Sequence, residues 1–556
     1  MVKLNLAETV NRYHSPNDVY IVSKTAQNPL EQAVRAHKAA KFDDCVEICR
    51  AFLDTNPDHT DALQLLGLGY HAKGRFQDAI QNIERALALA PNNPLYHANL
   101  ATVFNDAGKL SLAEQHYLAA TKQDPNNAAA FNGLGVIARK QLNYNVAIEQ
   151  YRRALALDND FTTAHNNLAN VLTLSGQAAL ALEHAENALR LDESAAEAWN
   201  NLGFAQTMLG EFKQAEDAFQ KALALDPHLA VANFNLSANY LRSGDYAKGW
   251  EAYEWRLRLN GQNPNLDPGE LKYPLPDSLQ GKSLGLIAEQ GMGDFLQFLR
   301  FTKPLYELGA KLCISCDKRL ISLVENLPWF EQIVPRGEKL PACDFTMPMM
   351  SVARMLSVSY EDVRNDIPYL RVPIAETDKW AKRLSSAGDY LVGMTWHGNP
   401  DNPVNQLRSI PLAQFEKLAG ISGVQLISLQ TGVAVNELLD RRDRLAPLDL
   451  DVFDRQESLT FEFTDTAALL LNVDLFITSC TVTAHLAGAL GVPTWLVVSH
   501  VADWRWGHDE EYSRWYPSIR IFRQTSPGDW GEVFNRVQQN LSALVIKTRE
   551  TYIKLG

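Results

Sequence analysis

Four stretches in the C-terminal half carry residues whose types and spacing can do chemistry. The first, GLIAEQGMGDFLQFLRF, places Gly291 and Gly293 around a turn that follows an apolar run and ends on Asp294. That pattern is a tight Gly turn with an acid at a helix start, where an acidic side chain can cap the helix. The second, GMTWHGNPDNPVNQLRSIPLAQFEKL, follows an apolar run with a polar loop holding His397, Asn399, Arg408 and Ser409. An arginine can form paired bonds to a phosphate, or pair with an acid at the surface. Gln430 closes the run GVQLISLQ in the same way. The third, DTAALLLNVDLFITSCTVTAHLAGALGVPTWLVV, carries Asp465, Thr481, Thr483 and His485. Hydroxyls, exposed N–H groups and a helix dipole converge after VDLFIT, as a phosphate or diphosphate requires. A helix is expected to begin there near His485, which as a lone histidine can equally be a packed helix-start residue. The fourth, WRWGHDEEYSRWYPSIRIFRQTSPGDW, is dense in aromatics and arginine and reads as a packed closing segment or part of the site.

Positioning these loops is the work of the elements between them. SLGLIAEQ, AKLCISCD, YLVGMTWHG, GVQLISLQ, VDLFITS and PTWLVVS are short apolar runs that read as buried parallel strands. Helical stretches separate them, so the region is α/β, and its length suffices for two doubly wound sheets. A division is expected near residues 368–390. The pair Cys313 and Cys316 stands without a second pair, so no zinc site is expected. The Asp449–Asp451 tripeptide has no supporting ligands, and no metal is expected there either.

The N-terminal half repeats itself about every 34 residues. Leu66-Gly67, Leu100-Ala101, Leu134-Gly135, Leu168-Ala169, Leu202-Gly203 and Leu236-Ser237 occupy one slot, and Ala79, Ala113, Ala147, Ala181 and Ala215 another. A small residue in each slot lets paired helices approach closely. With a divergent first unit around Cys45, these are about seven tetratricopeptide repeats over residues 26–263, stacked as an all-α superhelix. Asn99, Asn132, Asn166, Asn200 and Asn235 recur beside the Leu slot. Asparagine can donate to and accept from an extended peptide backbone, so this rank is a candidate acceptor groove. The last unit, YAKGWEAYEWRLRLN, replaces small residues with aromatics and reads as a docking surface. A Pro-rich linker, 264–280, follows.

Composition narrows the class. At 556 residues the chain is too long for one core, and 46% hydrophobic with 21% charged residues is ordinary globular usage. A net charge of −13 argues against nucleic acid as main partner. No run of about 18 apolar residues occurs, so no membrane span is expected, and residues 1–25 show no apolar leader; a cytoplasmic location is expected.

In order and spacing, the four C-terminal motifs resemble the GT-B glycosyltransferases of the heptosyltransferase-like family. The repeat array resembles that of the O-linked N-acetylglucosamine transferases. The combination is similar to bacterial proteins, flagellin glycosyltransferases among them, that fuse such repeats to such a domain. The resemblance implies an acceptor-side subdomain at 281–375 and a nucleotide-sugar-binding subdomain at 376–556 with a C-terminal helix. It implies a nucleotide-sugar-dependent transfer to a protein hydroxyl, with the donor as substrate and no separate cofactor. Asp294 matches the family's base, Arg408 with Ser409 a leaving-group contact, and Thr481, Thr483 and His485 the phosphate-facing turn. Gly291, Gly293, His397, Asn399 and Gln430 would complete the donor site, and Asp465 would touch the ribose or cap its helix. One departure is Cys480, where many members of the family carry Asp, which leaves the donor sugar open. Two other readings remain: a binding scaffold on a degenerate transferase-like domain, and a transferase for a lipid-linked or polysaccharide acceptor whose repeats serve oligomerisation.

Overall fold

The computed structural model describes residues 29–261, 273, 275–359, 361–363, 367–384, 390–399, 402, 405–441, 445 and 462–555. The leader, most of the Pro-rich linker and the Asp449–Asp451 tripeptide lie outside them.

Among the described residues seven helix pairs come first: α1–α2 (Pro29–Lys38, Phe42–Thr55), α3–α4 (Thr60–Ala72, Phe76–Leu89), α5–α6 (Pro94–Asp106, Leu110–Gln123), α7–α8 (Ala128–Lys140, Tyr144–Leu157), α9–α10 (Thr162–Leu174, Ala178–Leu191), α11–α12 (Ala196–Met208, Phe212–Leu225) and α13–α14 (Ala230–Ser243, Tyr246–Tyr253). The small-residue slots act as their spacing predicts. A Cβ on Gly67 would lie 2.5 Å from Ile83 Cγ1, and one on Gly135 would lie 2.5 Å from the Tyr151 ring. The turn inside each pair needs a left-handed residue, supplied by Gly74, Gly108, Gly176, Gly210 and Gly244. Ala40 and Leu142 hold the same conformation without being glycine, at φ 56° and 61°.

The chain forms two compact units whose border falls within the sixth pair. One runs to Gln206 and includes Ala224–Pro227; the other comprises Thr207–Leu223 and His228–Gly556. The core of the first is built from Ala33, Cys45, Leu66, Tyr70, Ile83, Tyr96, Leu100 and their equivalents.

The second unit holds α13 and α14, a 3-10 extension at Glu254–Gly261, and two parallel sheets. The first sheet has the order β3-β2-β1-β4, with β1 Ser283–Ile287, β2 Lys311–Cys316, β3 Phe330–Pro335 and β4 Phe345–Pro348. The second has the order β6-β5-β7-β8-β9, with β5 Tyr390–Thr395, β6 Val424–Ser428, β7 Leu475–Thr478, β8 Thr494–Val498 and β9 Ile519–Arg523. The central strands β7 and β8 are buried along their whole length, as sheets covered on both faces require. Helices used below are α15 (Met292–Phe298), α16 (Ile374–Leu384), α17 (Asn405–Arg408), α18 (Phe463–Leu470), α19 (Val482–Leu490) and α20 (Trp530–Leu555). Helix α20 covers the second sheet through Val533, Phe534, Val537, Leu541 and Val545.

The aromatic face of the seventh pair lies inside this unit's core. Trp250 meets Phe298, Trp504 and Trp515 edge-on at 5.7–6.3 Å between ring centroids. Its indole N–H donates to the Val358 carbonyl at 2.9 Å. The seventh repeat thus packs as a layer of the α/β unit.

Candidate functional site

In a doubly wound sheet, ligands bind outside the carboxyl ends of the strands where the strand order reverses. The first sheet reverses between β1 and β4, the second between β5 and β7. Asp294 follows β1; His397, Asn399 and Arg408 follow β5; Thr481, Thr483 and His485 follow β7. All sit at these two reversal points. The helices leaving β1 and β7 also touch. A Cβ on Gly293 would lie 2.9 Å from His485 Cδ2 and 3.5 Å from Val482 Cα. Glycine is what lets α15 and α19 approach, so the second Gly of GMGD serves packing between the two sheets' helices.

Helix α15 begins at Met292, and Asp294 is its third residue. The Gly291 N–H donates to Asp294 Oδ2 at 3.1 Å, so the carboxylate reaches back to cap the helix. The other oxygen, Oδ1, accepts from Arg505 Nη2 at 2.6 Å. Arg505 is buried and also pairs with Asp503 at 3.0 Å and with the Gln297 amide oxygen. Burial works against its charge, but Asp294 and Tyr253 outweigh that and hold its pKa above the ordinary value. Beside this cluster the Trp506 indole N–H donates to Cys480 Sγ at 3.0 Å, so the cysteine has a packed partner.

The loop after β5 is held by Gln430. Its Oε1 accepts from the N–H groups of Trp396 and His397, both at 3.0 Å, and its Nε2 donates to the His397 carbonyl at 3.1 Å. His397 Nδ1 contacts the Gly398 carbonyl at 2.8 Å. Arg408 lies against Gly398: a Cβ there would meet Arg408 Nη2 at 2.7 Å and Asn405 Oδ1 at 2.6 Å. Arg408 Nε donates to Asn405 Oδ1 at 3.4 Å, and Ser409 Oγ donates to the Asn405 carbonyl at 2.8 Å. Asn399 is exposed in the same loop.

At the end of β7 four threonine hydroxyls meet. Thr395 lies 2.6 Å from Thr478 and 3.1 Å from Thr483, and Thr481 lies 2.8 Å from Thr483. Ser479, fully buried beside them, has no partner for its hydroxyl among the described residues. Helix α19 starts at Val482 with Thr481 as N-cap, three residues earlier than His485 suggested. A β-branched TVT run obscures that start. His485 is in the helix body, buried, with Nδ1 3.0 Å from the Tyr516 hydroxyl. Burial, then the nearby Arg505 and Arg300 charges, hold its pKa well below the usual histidine value. Asp465 stands apart from these residues: its Oδ1 accepts from Lys379 Nζ at 3.3 Å and Trp380 Nε1 at 3.1 Å, both on α16.

Arg505, Gly398, Ser479, Thr395 and Thr478 went unremarked in the sequence. The dense Arg and Trp of WRWGHDEE signalled Arg505; nothing in the spacing signals the others.

In the repeats, members of the asparagine rank accept from the asparagines that neighbour the rank in sequence. Asn167 Nδ2 donates to Asn132 Oδ1 at 3.0 Å, and Asn201 Nδ2 donates to Asn166 Oδ1 at 2.7 Å. Asn166 and Asn200 are buried, at 9% and 4% exposure, while Asn99, Asn132 and Asn235 are half-buried. Amides in this rank therefore tie successive repeats together, which leaves fewer of their valences for a ligand.

Comparison with known proteins agrees with the repeat half. Tetratricopeptide repeat profiles match residues 30–94, 70–135, 137–176 and 196–229. Protein FlbA of Caulobacter vibrioides is 26% identical over 279 residues, 47% of this chain and 46% of FlbA. The chain thus spans about half the length of that relative. Among solved structures, PilF of Pseudomonas aeruginosa is 23% identical over 37% of this chain and 92% of its own, with a TM-score of 0.32. YrrB, described as a TPR protein with an unusual peptide-binding site, is 18% identical over 34% of this chain and 96% of its own, with a TM-score of 0.28. No helix among the described residues is long and apolar enough to cross a membrane. The chain is a tetratricopeptide-repeat array, which implies a protein- or peptide-binding surface, followed by an α/β region with two parallel sheets.

Proposed function

We propose that the chain is a nucleotide-sugar-dependent glycosyltransferase acting on a hydroxyl of a protein acceptor held by the repeats. One observation carries the reading: the helices following β1 and β7 meet at Gly293 and His485, which brings an acid, a basic loop and a hydroxyl cluster to the reversal points of two parallel sheets. Asp294 would accept the proton of the acceptor hydroxyl. The oxygen attacks the anomeric carbon as the bond to the nucleotide phosphate breaks, and the phosphate leaves with the electron pair. Arg408, the N-terminus of α19 and the Thr481 and Thr483 hydroxyls would balance that charge. Repeats on the same chain raise the acceptor's local concentration.

The test is donor turnover with candidate acceptors, such as flagellin, and a panel of nucleotide sugars. Asp294→Asn is expected to lower kcat on the order of 10²–10⁴-fold with nucleotide binding retained. Arg408→Ala is expected to weaken nucleoside-diphosphate binding. Unchanged turnover in both variants would overturn these assignments.

A second reading has its own observation. Both Asp294 oxygens are engaged, one capping α15 and one paired with Arg505, as a purely structural acid would be. On that reading the unit is a nucleotide- or sugar-binding module. Thermal-shift measurements with UDP, GDP, CDP, CMP and ADP separate the cases: stabilisation without turnover favours the module, and no stabilisation by any of them counts against both.

A further inference from the structure

The seventh repeat does more than cover apolar surface. Tyr253 OH donates to Gln290 Oε1 at 3.1 Å. Arg256 Nη2 lies 2.7 Å from Glu289 Oε1 and 2.8 Å from Ser351 Oγ, and its Nη1 lies 2.6 Å from Glu254 Oε1. Glu289 Oε1 accepts in addition from the Met350 N–H at 3.1 Å. Glu289 and Gln290 follow β1, and Met350 follows β4. The repeat's two polar side chains therefore tie the two strand ends that flank the first sheet's reversal point. Arg336 closes the other side by donating to the Glu289 and Gln290 carbonyls, both at 2.8 Å. The next residue, Gly291, donates to Asp294. The repeat also holds the opposite partner of Asp294. Arg242, on α13, donates to the Ala502 carbonyl at 3.3 Å, in the loop that carries Arg505.

A repeat that merely closed a stack would need only Trp250 and its aromatic neighbours. A buried ion pair adds little net stability over apolar groups of the same shape, so its presence is better explained by the geometry it fixes. We infer that Tyr253 and Arg256 are positioning residues, which hold the Glu289–Asp294 loop so that Asp294 meets Arg505 in a fixed orientation. The geometry stands by itself, and the effect on turnover rests on the glycosyltransferase reading.

The experiment is amide hydrogen exchange followed by mass spectrometry on the full chain, comparing wild type with Tyr253→Phe and Arg256→Lys. Tyr253→Phe removes one hydroxyl and keeps the ring. Loss of one hydrogen bond of ordinary net worth predicts exchange at residues 289–295 about fivefold faster. Exchange in α20 should not change, and the melting temperature should fall by no more than about 4 °C. Arg256→Lys keeps the charge toward Glu289 but not the fork, and is expected to loosen the same loop. Where turnover is measurable, kcat per folded enzyme, with the folded fraction read from circular dichroism at the assay temperature, should fall in both variants with the donor KM unchanged; a general loss of stability would lower only the folded fraction. Unchanged exchange in the loop, an increase spread evenly over the unit, or unchanged kcat would overturn the positioning role. If the wild type turns over no donor, the glycosyltransferase reading fails and the exchange result alone decides the positioning role.

Discussion

His485 is buried at the contact between α15 and α19. It stands 6% exposed between Gly293, Tyr516 and Trp506, with ring centroids 5.2 Å from Trp506 and 5.8 Å from Tyr516. Its pKa is held well below the ordinary 6.5, by burial first and then by Arg505 and Arg300. Below pH 6.5 the unfolded chain therefore binds a proton that the folded chain refuses. The stability present above that pH is lost as the pH falls, by up to about 1.4 kcal/mol per unit. The melting temperature of the α/β unit should fall between pH 6.5 and 5, and His485→Gln should flatten that fall. Parallel curves for the two proteins would show that His485 takes up no proton on unfolding. The site residues differ in how legible they were. The position of Gly291, Asp294, Arg408 and Thr481 after strands was legible because each follows an apolar run that ends in a polar turn, the chain signature of a strand end. Arg505 reaches Asp294 from 211 positions away, and only the fold makes that pairing. Gly293 was legible as a turn former, but its use as the contact between α15 and α19 was not. Asp465, the third residue of α18, is taken up by α16 instead.

At the scale of elements, the repeat turns supply a direct test of backbone chemistry. Positions 40, 74, 108, 142, 176, 210 and 244 all take positive φ, and five are glycine. Ala40 is exposed, so its methyl group contributes little burial, yet its Cβ crowds the backbone in a left-handed turn. Ala40→Gly should relieve roughly 1–2 kcal/mol of strain and lose about 0.5–1 kcal/mol to unfolded-state entropy. The expected result is a net gain on the order of 0.5–1 kcal/mol, read as a higher melting temperature or denaturant midpoint of the repeat unit. A lower midpoint would mean that the exposed methyl group makes contacts worth more than the strain. Helices were legible because the 34-residue period repeats both faces and both slots. Six of the nine described strands announced themselves as apolar runs. The other three did not, for physical reasons. Strand β3 is a sheet edge with Glu331 and Gln332 exposed, and β4 is four residues ending in Pro348. Strand β9 is also an edge, and its IRIFR alternates charge with apolar residues.

For the whole molecule, the division of labour does not follow the division of sequence pattern. The repeat period runs through α14, yet α13 and α14 belong to the compact unit that contains both sheets. Trp250 and Tyr253 are 2% and 1% exposed within its core, and Arg256 is the buried partner of Glu289. Phe219 and Ala215 of α12 pack in turn against Leu236 of α13. A fragment of residues 196–556 keeps all of these contacts and should fold with a cooperative thermal transition. A fragment of residues 262–556 keeps every strand but loses the aromatic layer and leaves Glu289 buried without its cation. Removing one large aromatic from a core costs about 3–5 kcal/mol, and leaving one charge of a buried pair alone costs about as much. Their sum is comparable with the roughly 5–15 kcal/mol that holds a domain folded, so the shorter fragment should be insoluble or lack a cooperative transition. Circular dichroism melts of the two purified fragments check this. Equal midpoints would show that the seventh repeat is a separable end of the array, and would remove the structural basis for assigning it to the site.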